Sequence, residues 1–315
     1  MSPRAIVVAG RGYGEAMRNR GWRWTAGLVL ALGSMALAAC GDEAGEPRSG
    51  STAATAAKTF ATGTTMKRLQ DAGVITIGVK FDMPPFGAKD PATGELQGFD
   101  IDLAKTIADE LGVKPKYIEA LSDNRLAFLK DGTADLILSN LTITAERDRE
   151  IDFSEPYFVA KGRILVTKSD SSIGGVKDLA GKKVCTTLGS TYEETLKRQA
   201  PKAKLRLVDA YSECLALIRK GAVDAVSAED AILAGMISQD NSLKLVGGKP
   251  LTTEPYGAGI KEGDTAFRQF VDGVIASYKE DGSWTTAYQQ WVGQYTGHEQ
   301  EPPSMTLQEA LDLGN

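Results

Sequence analysis

Histidine is almost missing from this chain: among 315 residues the one imidazole is His298, close to the C-terminus. That excludes a histidine-based catalytic relay and a multi-histidine metal site. Cysteine is scarce as well, and Cys40, Cys185 and Cys214 are too scattered for a zinc knuckle. Neither GxGxxG nor GxxxxGK[ST] occurs, so the commonest phosphate-cradling loops are absent. No metal and no cofactor is therefore expected. Beyond residue 40 no stretch reaches the ~18 consecutive apolar residues of a spanning helix. Positive charge is not in excess either. The whole chain carries a formal −5, and removing residues 1–39, with five arginines and Glu15, leaves −9. Nucleic acid is a poor partner for such a surface.

What is present begins with an export signal. Arg18, Arg20 and Arg23 precede the apolar run "AGLVLALGSMALAA", which ends in "LAAC" at Cys40. The basic, apolar and small-residue parts are those of a secretory signal rather than a membrane span. "LAAC" resembles a lipobox with Leu37 three positions ahead of Cys40, which implies cleavage after residue 39 and a lipid on Cys40. Both Met1 and Met17 are candidate starts. The Gly/Ser/Thr/Ala-rich segment that follows, residues 40–66, reads as a flexible tether reaching about 25 to 30 Å. The expected address is the extracytoplasmic face of the cell membrane, lipid-anchored.

From Lys67 the composition (42% hydrophobic, 24% charged, 34 glycines) and pattern are those of α/β domains. "VITIGVK", "KPKYIEA" and "ADLIL" read as strands, separated by the helices "GFDIDLAKTIADELG" and "SDNRLAFLKDG". The alternation restarts at "GRILVTK", with "KKVCTT", "KLRLVDA" and "AVDAVSA" as strands and "STYEETLKRQA", "YSECLALIRKG" and "EDAILAGMI" as helices. The fold class is α/β with two lobes, each a mostly parallel sheet flanked by helices. Lobe 1 is expected at 67–161 plus 258–296, lobe 2 at 162–257, and a C-terminal tail at 297–315. The two chain crossings, near 161–166 and 253–260, are hinge segments beside a cleft.

Two strand-to-helix junctions stand out. In "NLTITAER", Asn140, Thr142, Thr144 and Arg147 gather at a strand end. Oriented amides, a hydroxyl and a guanidinium are the parts that hold a carboxylate. The alternative is an ordinary helix cap with Arg147 paired to Glu146, Glu150 or Asp152. "LGSTYEET" repeats the arrangement, with Ser190/Glu193 and Thr191/Glu194 both fitting a capping box behind Gly189.

"PPF", "GFDIDLAKTIADELG", "TITAER", "IDFSEPYF", "GST" and "VDAVSAEDAILAG", in this order, resemble the family 3 extracellular solute-binding proteins of polar amino-acid ABC transporters. The likeness covers about residues 67–295. "GVKFDMPPF", "SDNRL" and "YSECL" are most similar to its glutamate/aspartate-binding lipoproteins. The resemblance implies a two-lobed periplasmic-binding-protein-like fold that closes on an amino acid and serves a permease. It places the ligand's α-carboxylate on Thr142 and Arg147, with Asn140 contacting through its backbone and Ser190 and Thr191 closing over the same group. It places the α-ammonium on Glu229 or on Asp230 beside it, the choice remaining open. Lys80, Arg125 and Ser122 would hold a distal carboxylate, with Phe81, Met83 and Tyr211 as walls. The competing reading has Lys80 reaching solvent and Arg125 paired to Asp123. L-glutamate is the implied ligand, aspartate or glutamine second, and a monomer the implied state. Two other readings are an enzyme of cyclohexadienyl dehydratase type, with Glu229 as the acid, and a sensor signalling to a membrane partner.

Once Cys40 is lipidated two cysteines remain in an exported chain, so a Cys185–Cys214 disulfide is expected. The alternative is two buried thiols packed as small apolar groups.

Overall fold

A computed structural model describes residues 58–313; the expected signal segment 1–39, Cys40 and the tether up to residue 57 lie outside the described residues. Helix α1 (Thr65–Ala72) leads into β1 (Val74–Val79). A small hairpin sheet of β2 (Asp82–Met83), β3 (Gly87–Lys89) and β4 (Leu96–Gln97) follows. Next come α2 (Phe99–Leu111), β5 (Lys114–Glu119), α3 (Arg125–Lys130), β6 (Leu136–Ile137) and β7 (Asp152–Phe153). The chain crosses on β8 (Phe158–Thr167) and continues through β9 (Lys183–Thr187), α4 (Thr191–Gln199), β10 (Lys204–Val208), α5 (Tyr211–Arg219), β11 (Ala225–Glu229), α6 (Asp230–Gln239) and β12 (Leu243–Leu245). It returns on β13 (Thr253–Tyr256) and β14 (Gly259–Ile260), and ends with α7 (Thr265–Glu280), α8 (Ser283–Ala287), α9 (Gln294–Thr296) and α10 (Leu307–Asp312).

Local chemistry explains the main elements. Helix α2 buries Phe99, Leu103, Ala104, Ile107 and Leu111 along one helical stripe, and Gly112 at φ +72 stops it, its N–H donating to Ala108 and Asp109 carbonyls. Helix α1 starts at Thr64, whose hydroxyl accepts the Lys67 N–H. The expected tether is therefore shorter than 40–66. Phe60 already packs edge-on against Phe270, ring centroids 5.4 Å apart, because an aromatic side chain gains more from a helix face than from solvent.

The first sheet runs β5-β1-β6-β14-β7 and the second β10-β9-β11-β8-β12. In each, three neighbouring strands are parallel and the next two join antiparallel. Each parallel trio ends in a helix start or a turn, and such carboxyl ends are where open α/β sheets place ligands. β1 delivers Lys80, β5 delivers Ser122 and Arg125, and β6 delivers Asn140 and Thr142. On the other side β9 delivers Ser190 and Thr191, β10 delivers Tyr211 and β11 delivers Glu229.

The crossings pair with each other: Phe158 through Lys161 lie antiparallel to Tyr256 through Thr253. The first crossing is thus 158–161 rather than 161–166, since Gly162 to Leu165 already pair with β11 in the second sheet. An aromatic cluster of Phe86, Phe99, Phe158, Tyr256 and Trp284 packs around this junction. The C-terminal tail is fastened to the first lobe. Gln300 Nε2 donates to the Val159 carbonyl at 3.1 Å, the Leu307 N–H donates to Glu155 at 2.7 Å, and Ala310 is buried with Leu129 and Phe153.

Cys185 on β9 and Cys214 on α5 form a disulfide, Cα atoms 5.6 Å apart and 29 residues separated in sequence. Both ends lie in the second lobe, so the bridge staples that lobe and leaves the crossing strands free. For a loop of about 30 residues, chain entropy predicts a contribution of roughly 3 to 4 kcal/mol. Urea unfolding of Cys214→Ser beside the oxidised parent should show a loss of that order. Coincident midpoints would show that the bridge adds nothing to stability.

Candidate functional site

Of the residues expected to hold or wall the ligand, all but Phe81 and Asp230 line one cavity between the carboxyl ends of the two parallel trios. Met83 and Ile232 complete its wall. Phe81, expected beside Met83, is not among the lining residues; Lys89 sits over its ring.

At one end stand Lys80 and Arg125, 4% and 2% exposed. Lys80 neither snorkels nor pairs with an acid; its Nζ donates to Ser122 Oγ at 3.2 Å. Arg125 donates Nε to the Ser122 carbonyl (3.1 Å) and Nη1 to the Ser139 and Asn140 carbonyls (2.8 and 3.0 Å), not to Asp123. Among the described residues neither cation, nor Arg147, forms an ion pair. Burial, then the charge of Arg125, pulls the Lys80 ammonium down to about 7. Burial, then the charge of Arg147, pulls Arg125 down to about 9. Both want an anion.

Asn140 is the one described non-glycine residue with positive φ, at +49, a conformation asparagine tolerates better than most side chains. Its N–H donates to Asp100 Oδ2 at 3.0 Å, and Asp100 Oδ1 accepts the Tyr157 hydroxyl at 3.0 Å. This fully buried carboxyl, pushed up to about 7 by burial, holds the turn whose carbonyls grip Arg125. The sequence marks it only as an acid in the core-facing first turn of α2.

Arg147 spans the cleft, Nη1 donating to the Thr142 carbonyl (2.8 Å) and Nη2 to the Gly189 carbonyl (3.0 Å) of the opposite lobe. Thr144 Oγ1 accepts the Arg147 N–H at 3.2 Å, as a cap would, although the residue directly before the turn is Glu146. What it caps is only the 3-10 turn Arg147–Arg149, so this lobe offers a guanidinium and hydroxyls rather than a helix terminus. The opposite lobe has the helix terminus, at α4. Neither expected capping box forms there. Ser190 Oγ donates to the Thr187 carbonyl (2.7 Å), Glu193 accepts the Gly189 N–H (3.2 Å), and Thr191 Oγ1 donates to Glu254 Oε2 (2.9 Å). With its hydroxyl proton committed to Glu254, Thr191 has its backbone N–H left to offer an anion.

At the far end Glu229, the last residue of β11, is 5% exposed, and its Oε2 is buried without a hydrogen-bond partner. Burial first, then the Glu254 carboxylate, raises its pKa well above the ordinary carboxylate range. Asp230 points away: its Oδ1 accepts the Lys161 and Ala231 N–H groups at 3.2 and 2.9 Å. Tyr211 holds Thr186 through their hydroxyls, 3.2 Å apart.

The lobes meet closely. A Cβ on Gly189 would lie 2.6 Å from Asp123 Cα, and one on Gly235 2.4 Å from the Pro84 carbonyl oxygen. Only glycine permits both approaches, and the Ser212 N–H adds a bond to Asp82 across the gap at 3.3 Å. The structure is a closed one.

Residues 75–294 match the sequence model of the bacterial extracellular solute-binding proteins, family 3. The chain belongs to that family. Among family 3 relatives, the ABC transporter glutamine-binding protein GlnH of Bacillus subtilis (strain 168) is 38% identical, over 72% of this chain and 84% of its own. The L-glutamate/L-aspartate-binding protein of Pseudomonas aeruginosa is 30% identical, over 73% and 80%. Of solved structures, an ancestral arginine-binding protein bound to glutamine superposes with a TM-score of 0.67 at 38% identity, covering 70% of this chain and 98% of that one. Family 3 membership makes this an extracytoplasmic, amino-acid-binding component of an ABC transporter. Among the described residues no helix is long and apolar enough to cross a membrane.

Proposed function

We propose that the protein captures L-glutamate, with aspartate or glutamine second, and hands it to the permease of an ABC importer while lipid-anchored through Cys40. The observation that carries the ligand is the pair of buried cations at Ser122, Lys80 and Arg125, with no acidic partner within ion-pair distance among the described residues. Two desolvated cations favour an anion over an amide, because an unpaired buried charge is costly. Arg147 and the α4 N-terminus take the α-carboxylate and Glu229 takes the α-ammonium. The ligand's groups then touch both lobes, so closure and binding reinforce each other.

Calorimetry of the mature chain with Glu, Asp, Gln and Asn tests the reading. Glutamate is expected tightest, with a Kd near the micromolar range, about −8 kcal/mol. Glutamine as the tightest ligand would transfer the assignment to an amide.

A further inference from the structure

Glu254 is a buried carboxylate on the returning crossing strand, 2% exposed, and nothing in the binding scheme above uses it. Its place follows from register. Glu229 lies opposite Gly162 of β8 and Glu254 opposite Ala160 of the same strand. Residues two apart on a strand share a face, as do directly opposed partners, so both carboxylates rise on one side of β8. Between them Gly162 contributes no side chain, and a Cβ there would lie 2.3 Å from Thr252 Oγ1 and 3.1 Å from Tyr192 Cε1. The polar atoms around this gap, Glu229 Oε2, Thr252 Oγ1 and the hydroxyls of Tyr192 and Tyr256, are buried with no partner at hydrogen-bond distance. Because both acids are held by β8, their proximity does not depend on the first lobe closing.

We propose that Glu254 is a positioning residue that keeps Glu229 protonated until a ligand arrives, so that capture of an amino group releases a proton. The inference rests on the reading that Glu229 meets the α-ammonium. Glu229 then enters binding as the acid; the incoming ammonium stabilises its carboxylate, and the proton leaves to solvent. Around Glu229 stand Glu254 and Tyr256 from β13, Tyr192 from α4, Tyr211 from α5, and the cations Arg125, Lys80 and Arg147 from the other lobe. In this closed form burial and the Glu254 charge outweigh those cations, and Glu229 is raised; the Glu254 contribution is the one that persists when the lobes part, because β8 holds both acids. A carboxyl with a raised pKa that ionises on binding gives an affinity that rises with pH between its ordinary and its raised value, with a limit of about tenfold per pH unit. Thr191, whose hydroxyl donates to Glu254, ties the device to the helix terminus facing the ligand's other end.

The test is titration calorimetry of the mature chain with L-glutamine and with L-glutamate, near neutral pH, in buffers of different ionisation heat, which counts protons exchanged per ligand. In the parent, glutamine binding is expected to release close to one proton. Glutamate is expected to show less, because its carboxylate draws a proton back onto Lys80. In Glu254→Gln the release should fall by about half a proton or more with either ligand, the Lys80 contribution cancelling in the comparison, and Glu254→Asp should restore it. An unchanged proton count in Glu254→Gln overturns the proposal. Should that variant fail to fold, a parent that binds glutamine without releasing a proton from about pH 6 to 8 overturns it equally. Absence of binding by every amino acid would overturn both this inference and the reading beneath it.

Discussion

Arg125→Ala should weaken glutamate binding by roughly 3 to 5 kcal/mol, two to four orders of magnitude in Kd, and glutamine binding far less. The size comes from leaving a buried charge without its partner. Nε and Nη1 of Arg125 are fixed by the carbonyls of Ser122, Ser139 and Asn140, so the guanidinium is held in place before a ligand arrives, and Nη2 is left for the cavity. Without it the distal carboxylate would face only Lys80, whose own charge burial disfavours. Those three carbonyls also lose their donor, a cost borne whatever is bound, so the quantity to measure is the ratio of glutamate to glutamine affinity rather than either alone. Equal losses for both ligands would show that Arg125 supports the turn without selecting the ligand.

The alternation of strands and helices implies that the segments after parallel strands gather at one edge of each sheet. Arg125, Thr191, Tyr211 and Glu229 lie at helix starts, Lys80, Thr142 and Arg147 in the turns after β1 and β6, and all line the proposed site. The choice between Glu229 and Asp230 could not be made from the sequence. One residue separates the end of β11 from the start of α6, and the register against Gly162 turns Glu229 to the cavity while Asp230 caps toward Lys161. The capping boxes at Ser190 and Thr191 failed for a different reason. A hydroxyl bonds the best partner in space, and for Thr191 that is Glu254, 63 residues on. Local pattern carries no information about such a partner. In "TTEPYGAGI" the only hint of Glu254 is a charge inside an otherwise apolar strand. The length of the helix after Thr144 was also illegible, since a good cap marks a start and says nothing of how soon the turn ends.

Arg147→Ala should abolish binding of every amino acid, glutamate, aspartate, glutamine and asparagine alike, because the α-carboxylate we assign to it is common to all. The structure adds a second reason for a large effect. Nη1 and Nη2 reach the Thr142 and Gly189 carbonyls on opposite lobes, so the guanidinium fastens the closed form as well as facing the ligand. Two charged-donor hydrogen bonds of about 1.5 to 3 kcal/mol each, added to an orphaned carboxylate, remove at least about half of a micromolar affinity near −8 kcal/mol; the outcome is a Kd in the millimolar range or weaker. Arg147→Lys separates the two contributions. It keeps the charge but not the planar fork that spans both carbonyls, so binding should return only partly, and by the same factor for all four amino acids. Losses that differ between ligands would place Arg147 near the side chain instead of the shared end. Near-parent affinity in Arg147→Ala would remove it from the site altogether, leaving α4's N-terminus to hold the carboxylate from one lobe alone.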